Sequence, residues 1–96
     1  MEKDMYEEVL DLLKDLEQDS ERQKACNCSI STIIFLRDEI SSFQKGDYEI
    51  HSQYPGEHYF VDCFFPKTKE DKKLEQIFFK IYKNAREKKL AQKREL

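Results

Sequence analysis

Tyr6, Val9, Leu10, Leu13 and Leu16 recur at spacings of three and four, the period that gathers side chains on one stripe of an amphipathic helix. The pattern predicts a helix over residues 3–18. Residues 19–28, DSERQKACNC, carry no such stripe and read as a polar connection with at most a helical turn around Glu21 to Ala25. Helical spacing returns in Ile30, Ile33, Ile34, Arg37, Ile40 and Phe43. With Ser29 suited to an N-cap and Lys45-Gly46 to a C-terminal stop, a second helix is expected over 29–45. The β-branched run from Ile30 to Ile34 would also suit a strand.

The period then shortens. Tyr48, Ile50, Ser52 and Tyr54 alternate with Glu49, His51 and Gln53, which predicts a strand with one apolar face. Pro55-Gly56 is a turn signal. Beyond it Tyr59, Val61, Cys63 and Phe65 would share the core face of a second strand, leaving His58, Phe60, Asp62 and Phe64 on the other. An antiparallel hairpin over 47–65 must bring its apolar faces together, so an even loop is expected, pairing Ile50 with Val61 or Cys63. A four-residue loop would also set His51 opposite Asp62. Pro66 ends the strand, and Thr68 with Asp71 three residues on resembles a capping box. Leu74, Ile77, Phe78, Ile81 and Ala85, widened by Phe79 and Tyr82, then predict a final helix over 68–94. After Ala85 only Leu90, Ala91 and Leu96 are apolar, so the tail is expected to project or to dock on a partner. The expected fold is α+β, a single domain over 1–96 in the order α-α-β-β-α, with the two-stranded hairpin packed against helices and a long C-terminal helix.

Length changes this picture little, because 96 residues suit one modest core. Twelve aromatic residues argue against disorder, since their burial offsets chain entropy. No run approaches the ~20 apolar residues of a membrane helix, and the acidic start MEKDMYEEVL does not read as a signal peptide. Three cysteines favour reduced thiols and a cytoplasmic location over a disulfide framework. Charge adds a polarity. Residues 1–20 hold eight acids and two bases, whereas residues 67–96 hold eleven bases and five acids. Such a division suits either two helices attracting each other or a nucleic-acid-facing end.

Candidate chemistry is sparse. A zinc site would combine Cys26 and Cys28 with His51, His58 or Cys63, but the spacing matches no zinc module and Cys63 falls on the expected core face. No metal or cofactor is therefore assigned. Gly-rich phosphate loops, G-x-S-x-G and H-E-x-x-H are all missing from the sequence, so no catalytic residue is assigned and the chain is read as non-enzymatic. The order of helices and hairpin resembles that of some winged-helix proteins in topology alone. Its hairpin lacks Lys and Arg between Gly46 and Pro66, so a DNA-binding regulator would have to use Lys80, Lys83, Arg86, Lys88, Lys89, Lys93 and Arg94 of the last helix. Glu8, Asp11 and Asp15 share one face of the first helix, which suits an inhibitor that imitates nucleic-acid phosphates or, more plainly, a solvated helix. The leading expectation is a small binding protein, an inhibitor, adaptor or regulator, that docks on another protein through Phe60, Phe64, Asp62, His51 and Phe79. Phe79 and the tail from Arg86 would extend that surface or form a homodimer.

Overall fold

The computed structural model describes residues 4–95, with side chains through residue 91. Asp4 caps α1 (Met5–Glu17) by accepting the Glu7 N–H at 2.9 Å. Asp19 does the same for α2 (Ser20–Cys26) through the Arg22 N–H, and Ser29 for α3 (Ile30–Lys45) through the Thr32 N–H. Each cap satisfies an amide that has no partner within its helix. Asn27 ends α2 in the left-handed region at φ 59°, a conformation open to Asn at little cost. Gly46 ends α3 at φ +73°, where its N–H and that of Asp47 return to the carbonyls of Phe43 and Ser42.

The expected β-hairpin does not form. No strand occurs among the described residues; 47–54 run as irregular chain, and Pro55–Asp62 is a helix, α4. The fold is accordingly all-helical and not α+β. Pro55 sits at the first helical position, where its missing N–H costs nothing and its φ is already set. Glu57 Oε1 accepts the Tyr54 N–H at 3.1 Å, supplying the returning half of a capping box. Residues four apart share a face in a strand and in a helix alike, so Phe60 with Phe64, and His58 with Asp62, stay paired under either period. Residues two apart do not. The helix turns Phe60 and Phe64 inward, to 2% and 4% exposure, and leaves His58 and Asp62 outside in an ion-pair geometry at 3.1 Å. The core face assigned from alternation is therefore lost: Val61 and Phe65 are 57% and 52% exposed, Cys63 is exposed, and only Tyr59 is half-buried. The expected pairing of His51 with Asp62 is replaced by the His58–Asp62 contact.

Thr68 and Asp71 start α5 (Lys69–Glu95) with reciprocal bonds: Thr68 Oγ1 accepts the Asp71 N–H, and Asp71 Oδ2 accepts the Thr68 N–H, both at 3.1 Å. At ~1.5 Å per residue this helix runs about 40 Å, most of the 48 Å long axis of the molecule. It packs along α1 and α4, while α3 packs against α1 and α4, and α2 against α1. Val9, Leu13 and Leu16 of α1, Ile33, Leu36 and Ile40 of α3, and Leu74, Phe78, Ile81 and Tyr82 of α5 fill the centre with no exposed surface. From α4 a string of rings crosses this core. Phe64 meets Phe60 at 5.0 Å, Phe60 meets Phe78 at 4.6 Å, and Phe78 meets Tyr82 at 5.8 Å. Tyr82 stacks on Tyr54 at 5.6 Å, and Phe43 abuts both Tyr54 and Tyr48 edge to face at 5.2 and 4.9 Å. Such ring pairs add a little beyond area burial, and here they lead from the core to the surface formed by 47–54.

Candidate functional site

That surface is a cleft of about 310 Å³. Spacings of three and four along α3 place Phe35, Asp38, Glu39 and Ser42 on one wall, with Phe43 at its base. After the reversal at Gly46 the irregular segment supplies Asp47, Tyr48, Glu49, His51, Tyr54 and Pro55 as the other wall. Four carboxylates line the opening and no Lys or Arg does.

An irregular segment must find partners for its backbone groups outside any ladder or helix, and here α5 provides them. Arg86 donates from Nε to the His51 carbonyl at 2.9 Å and from Nη2 to the Ser52 carbonyl at 3.0 Å. The same guanidinium pairs with Glu57 and lies over the Tyr54 ring, 5.0 Å from its centroid. Lys89 Nζ donates to the Gly46 carbonyl at 2.8 Å and lies 4.7 Å over the Tyr48 ring. Both are cation–π arrangements in a partly buried setting. The segment is thus held from behind, and its cleft-facing side is left to the acids and rings.

Glu39 stands at the foot of the cleft. Its Oε1 accepts from the Tyr82 hydroxyl at 2.5 Å, and its Oε2 accepts the Gly56 N–H at 3.2 Å. Burial raises its pKa, the bonds from Tyr82 and Gly56 oppose the rise, the nearby Glu57 charge adds to it and His51 opposes it slightly, so the net direction is upward. Gly56 makes this contact possible: a Cβ there would collide with Glu39 Oε1 and the Tyr82 hydroxyl. Tyr54 is 2% exposed, and its hydroxyl makes no hydrogen bond of ordinary geometry, the His51 backbone N–H only approaching it. A buried hydroxyl without a partner is uncommon and calls for a physical reason.

The sequence-derived protein-binding set is not brought together. His51 lines the cleft and packs its ring edge to face against Tyr54 at 5.3 Å. Phe60 and Phe64 are core residues, and Phe79 is half-buried with its ring 6.3 Å from that of Phe60. Asp62 is exposed beside His58. The basic set divides as well. Lys80, Lys83 and Lys88 are exposed, whereas Arg86 and Lys89 hold the 46–52 backbone; the side chains of Lys93 and Arg94 lie outside the described residues. On α1, Glu8 pairs with Lys73 of α5 at 2.6 Å, Glu17 pairs with Arg37 of α3 at 2.6 Å, and Asp11 and Asp15 are exposed. Part of the charge polarity along the chain is therefore consumed between helices.

The thiols are equally divided. Cys26 and Cys28 are buried and Cys63 is exposed. Burial, then the charges of Asp71 and Cys28, push the Cys26 thiol up to about 11, which keeps it protonated at neutral pH and a poor nucleophile. Burial also raises Cys28. No group of three or more His, Cys, Asp or Glu placed to hold a metal ion occurs among the described residues. No helix among them is long and apolar enough to cross a membrane.

Phe35, Asp38, Glu39, Ser42 and Asp47 are cleft residues that periodicity did not single out, and Tyr48 and Tyr54 were expected on the apolar face of a strand. Phe35 alone carried a signal, as an aromatic standing off the apolar stripe of a helix; it is 43% exposed beside Ile34 at 48%. No protein-family model matches the chain, and comparison with curated proteins and with solved structures gives no match.

Proposed function

We propose that the protein is a non-enzymatic binding protein, an inhibitor, adaptor or regulator, that takes a segment of a partner protein into the cleft between α3 and residues 47–55. The observation that carries this reading is the preformed state of the cleft. Its irregular wall is already pinned by Arg86 and Lys89, so a ligand need not supply the ordering free energy of that segment. Phe35 and Ile34 at the rim add exposed apolar area next to a concave site, the combination that anchors interfaces. Action in a cytoplasmic, reducing compartment belongs to the same proposal and is supported by three unpaired thiols.

Selection of a random displayed peptide library on the full chain tests the reading. Peptides sharing a consensus should enrich on the native protein. Phe35→Ser should weaken their binding by about tenfold, the effect of losing ~1.4 kcal/mol at one contact. Thermal stability should hardly move, since Phe35 is a surface side chain. A library that yields no consensus, or peptides indifferent to Phe35→Ser, would overturn the assignment of the cleft as a docking site.

A further inference from the structure

The composition of the cleft narrows what enters it. We propose that it receives an arginine or lysine side chain presented by the partner, the aliphatic stem lying against Phe35 and Tyr48 and the charged end between Asp38 of α3 and Asp47 and Glu49 of the facing segment. This inference rests on the docking reading above and specifies its ligand.

Three observations converge on a cation. The carboxylates come from both walls, Asp38 and Glu39 from one and Asp47 and Glu49 from the other, with no Lys or Arg among the lining residues and His51 as the one basic side chain facing all four. An apolar or anionic ligand would strip water from these groups and return nothing, whereas an ammonium or guanidinium group compensates each of them. The second observation is Tyr54, which lines the same cleft and whose buried hydroxyl makes no hydrogen bond of ordinary geometry, with only the His51 backbone N–H approaching it. A phenolic oxygen accepts from the N–H groups that both candidate side chains carry. The third is how the chain treats its own rings: Arg86 and Lys89 already lie over Tyr54 and Tyr48 on the α5 side. The rings of this cluster thus act as cation platforms within the fold, and Phe35 offers a further exposed ring at the rim.

Glu39 fits the same scheme as a positioning residue. Its raised pKa reports a carboxylate with hydrogen-bond donors and no nearby cation strong enough to offset burial, and an arriving positive charge would favour its ionised form. A divalent metal is a poorer occupant, because the acids of the described chain are not grouped to hold one.

The test uses small probes on the full chain followed by backbone amide NMR. N-acetyl-arginine amide and N-acetyl-lysine amide should each produce saturating shifts confined to residues 35–55. N-acetyl-citrulline amide, which keeps the shape of arginine without its charge, should bind about tenfold more weakly or worse. Asp47→Asn combined with Glu49→Gln changes two exposed side chains and should weaken the arginine probe about fivefold, with the spectrum otherwise unchanged. Equal binding of the citrulline probe would overturn the proposal. So would arginine shifts centred on the acidic surface of α1, the signature of unspecific charge attraction. The display selection separates the two claims. A consensus lacking Arg and Lys leaves docking intact and overturns the cation site, whereas saturation by arginine amide without any peptide consensus overturns peptide capture and leaves the cation site standing.

Discussion

Asp71 and Glu39 are two inward-turned carboxylates at opposite electrical extremes. Asp71 has no exposed surface, and all its hydrogen-bonding capacity is engaged. Arg22 donates to Oδ1 from Nε and Nη2 at 3.0 and 2.7 Å, and the Lys67 and Thr68 N–H groups donate to Oδ2. Burial pushes its pKa up, but those donors and the Arg22 charge together outweigh burial, and the net direction is down. Glu39 has two donors and no cation bonded to it, and its pKa moves up. The contrast separates a closed structural joint from an open one. Asp71 locks α2 to the start of α5, whereas Glu39 stands under a cleft whose four carboxylates face His51 and no Lys or Arg.

Removing the closed joint gives the largest effect. Asp71→Ala leaves the Arg22 guanidinium without its counter-charge at a site where that side chain is 17% exposed, and it also deletes the acceptor for two backbone amides at the start of α5. Breaking a buried pair from one side typically costs about 3–5 kcal/mol. Urea unfolding should show a loss of that order; a loss under ~1 kcal/mol would mean that the pair is solvated and that the contrast with Glu39 is false.

The open joint is tested sterically by Gly56→Ala. The new Cβ meets the Glu39 carboxylate and the Tyr82 hydroxyl at once, and the hydroxyl belongs to a ring with no exposed surface. Forcing an extra methyl into packed surroundings costs about 1–3 kcal/mol. The same unfolding experiment reads the stability, and the amide spectrum should show disturbance along 35–57 and little around Asp71. Neutral behaviour would show that Glu39 can swing outward freely, which removes the fixed floor of the cleft.

The difference between these two sites was only half legible in the sequence. Thr68 and Asp71 announce a capping box, and Asp71 does serve it, but nothing in the sequence joins it to Arg22 forty-nine positions earlier. Glu39 sits beside Ile40 on a helix and looks like solvated charge until α5 brings Tyr82 against it. Arg86 and Lys89 looked like free positive charge for the same reason, because a side chain that donates to distant carbonyls leaves no trace in spacing. The stripe of α1 reads plainly, since Val9, Leu13 and Leu16 satisfy a period of 3.6 and no shorter one. Residues 55–65 do not read so plainly. Aromatic side chains stand at both even and odd positions there, so alternation and helical spacing compete, and the deciding signal is Pro55 followed by Glu57, a helix start whose Pro-Gly pair also suits a turn. Once that segment becomes helix, 47–54 has no strand to pair with and its alternation loses its structural meaning.

Glu39→Gln gives the smallest expected change at neutral pH and the sharpest separation of the two carboxylates across pH. Gln keeps a side chain able to bond both the Gly56 N–H and the Tyr82 hydroxyl while removing the poorly solvated charge, so its effect on stability near pH 7 should be under about 1 kcal/mol in either direction. The pH dependences must have opposite signs. Glu39 has its folded pKa raised above the ordinary 4.5 of a free glutamate, so its contribution is fully present below the unfolded pKa and is lost as pH rises through the folded one. Asp71 has its folded pKa lowered below 3.8, so its contribution is present above that value and is lost as pH falls through the folded pKa. Native protein should therefore lose stability relative to Glu39→Gln as pH climbs from about 4.5, with a slope no steeper than ~1.4 kcal/mol per pH unit for one proton. Parallel stability curves for the two proteins between pH 4 and 7 would show that folding leaves the Glu39 pKa unshifted, and a slope of the opposite sign that it is compensated as Asp71 is. Bound arginine amide should flatten the difference, because a cation at the cleft supplies what Arg22 already supplies to Asp71.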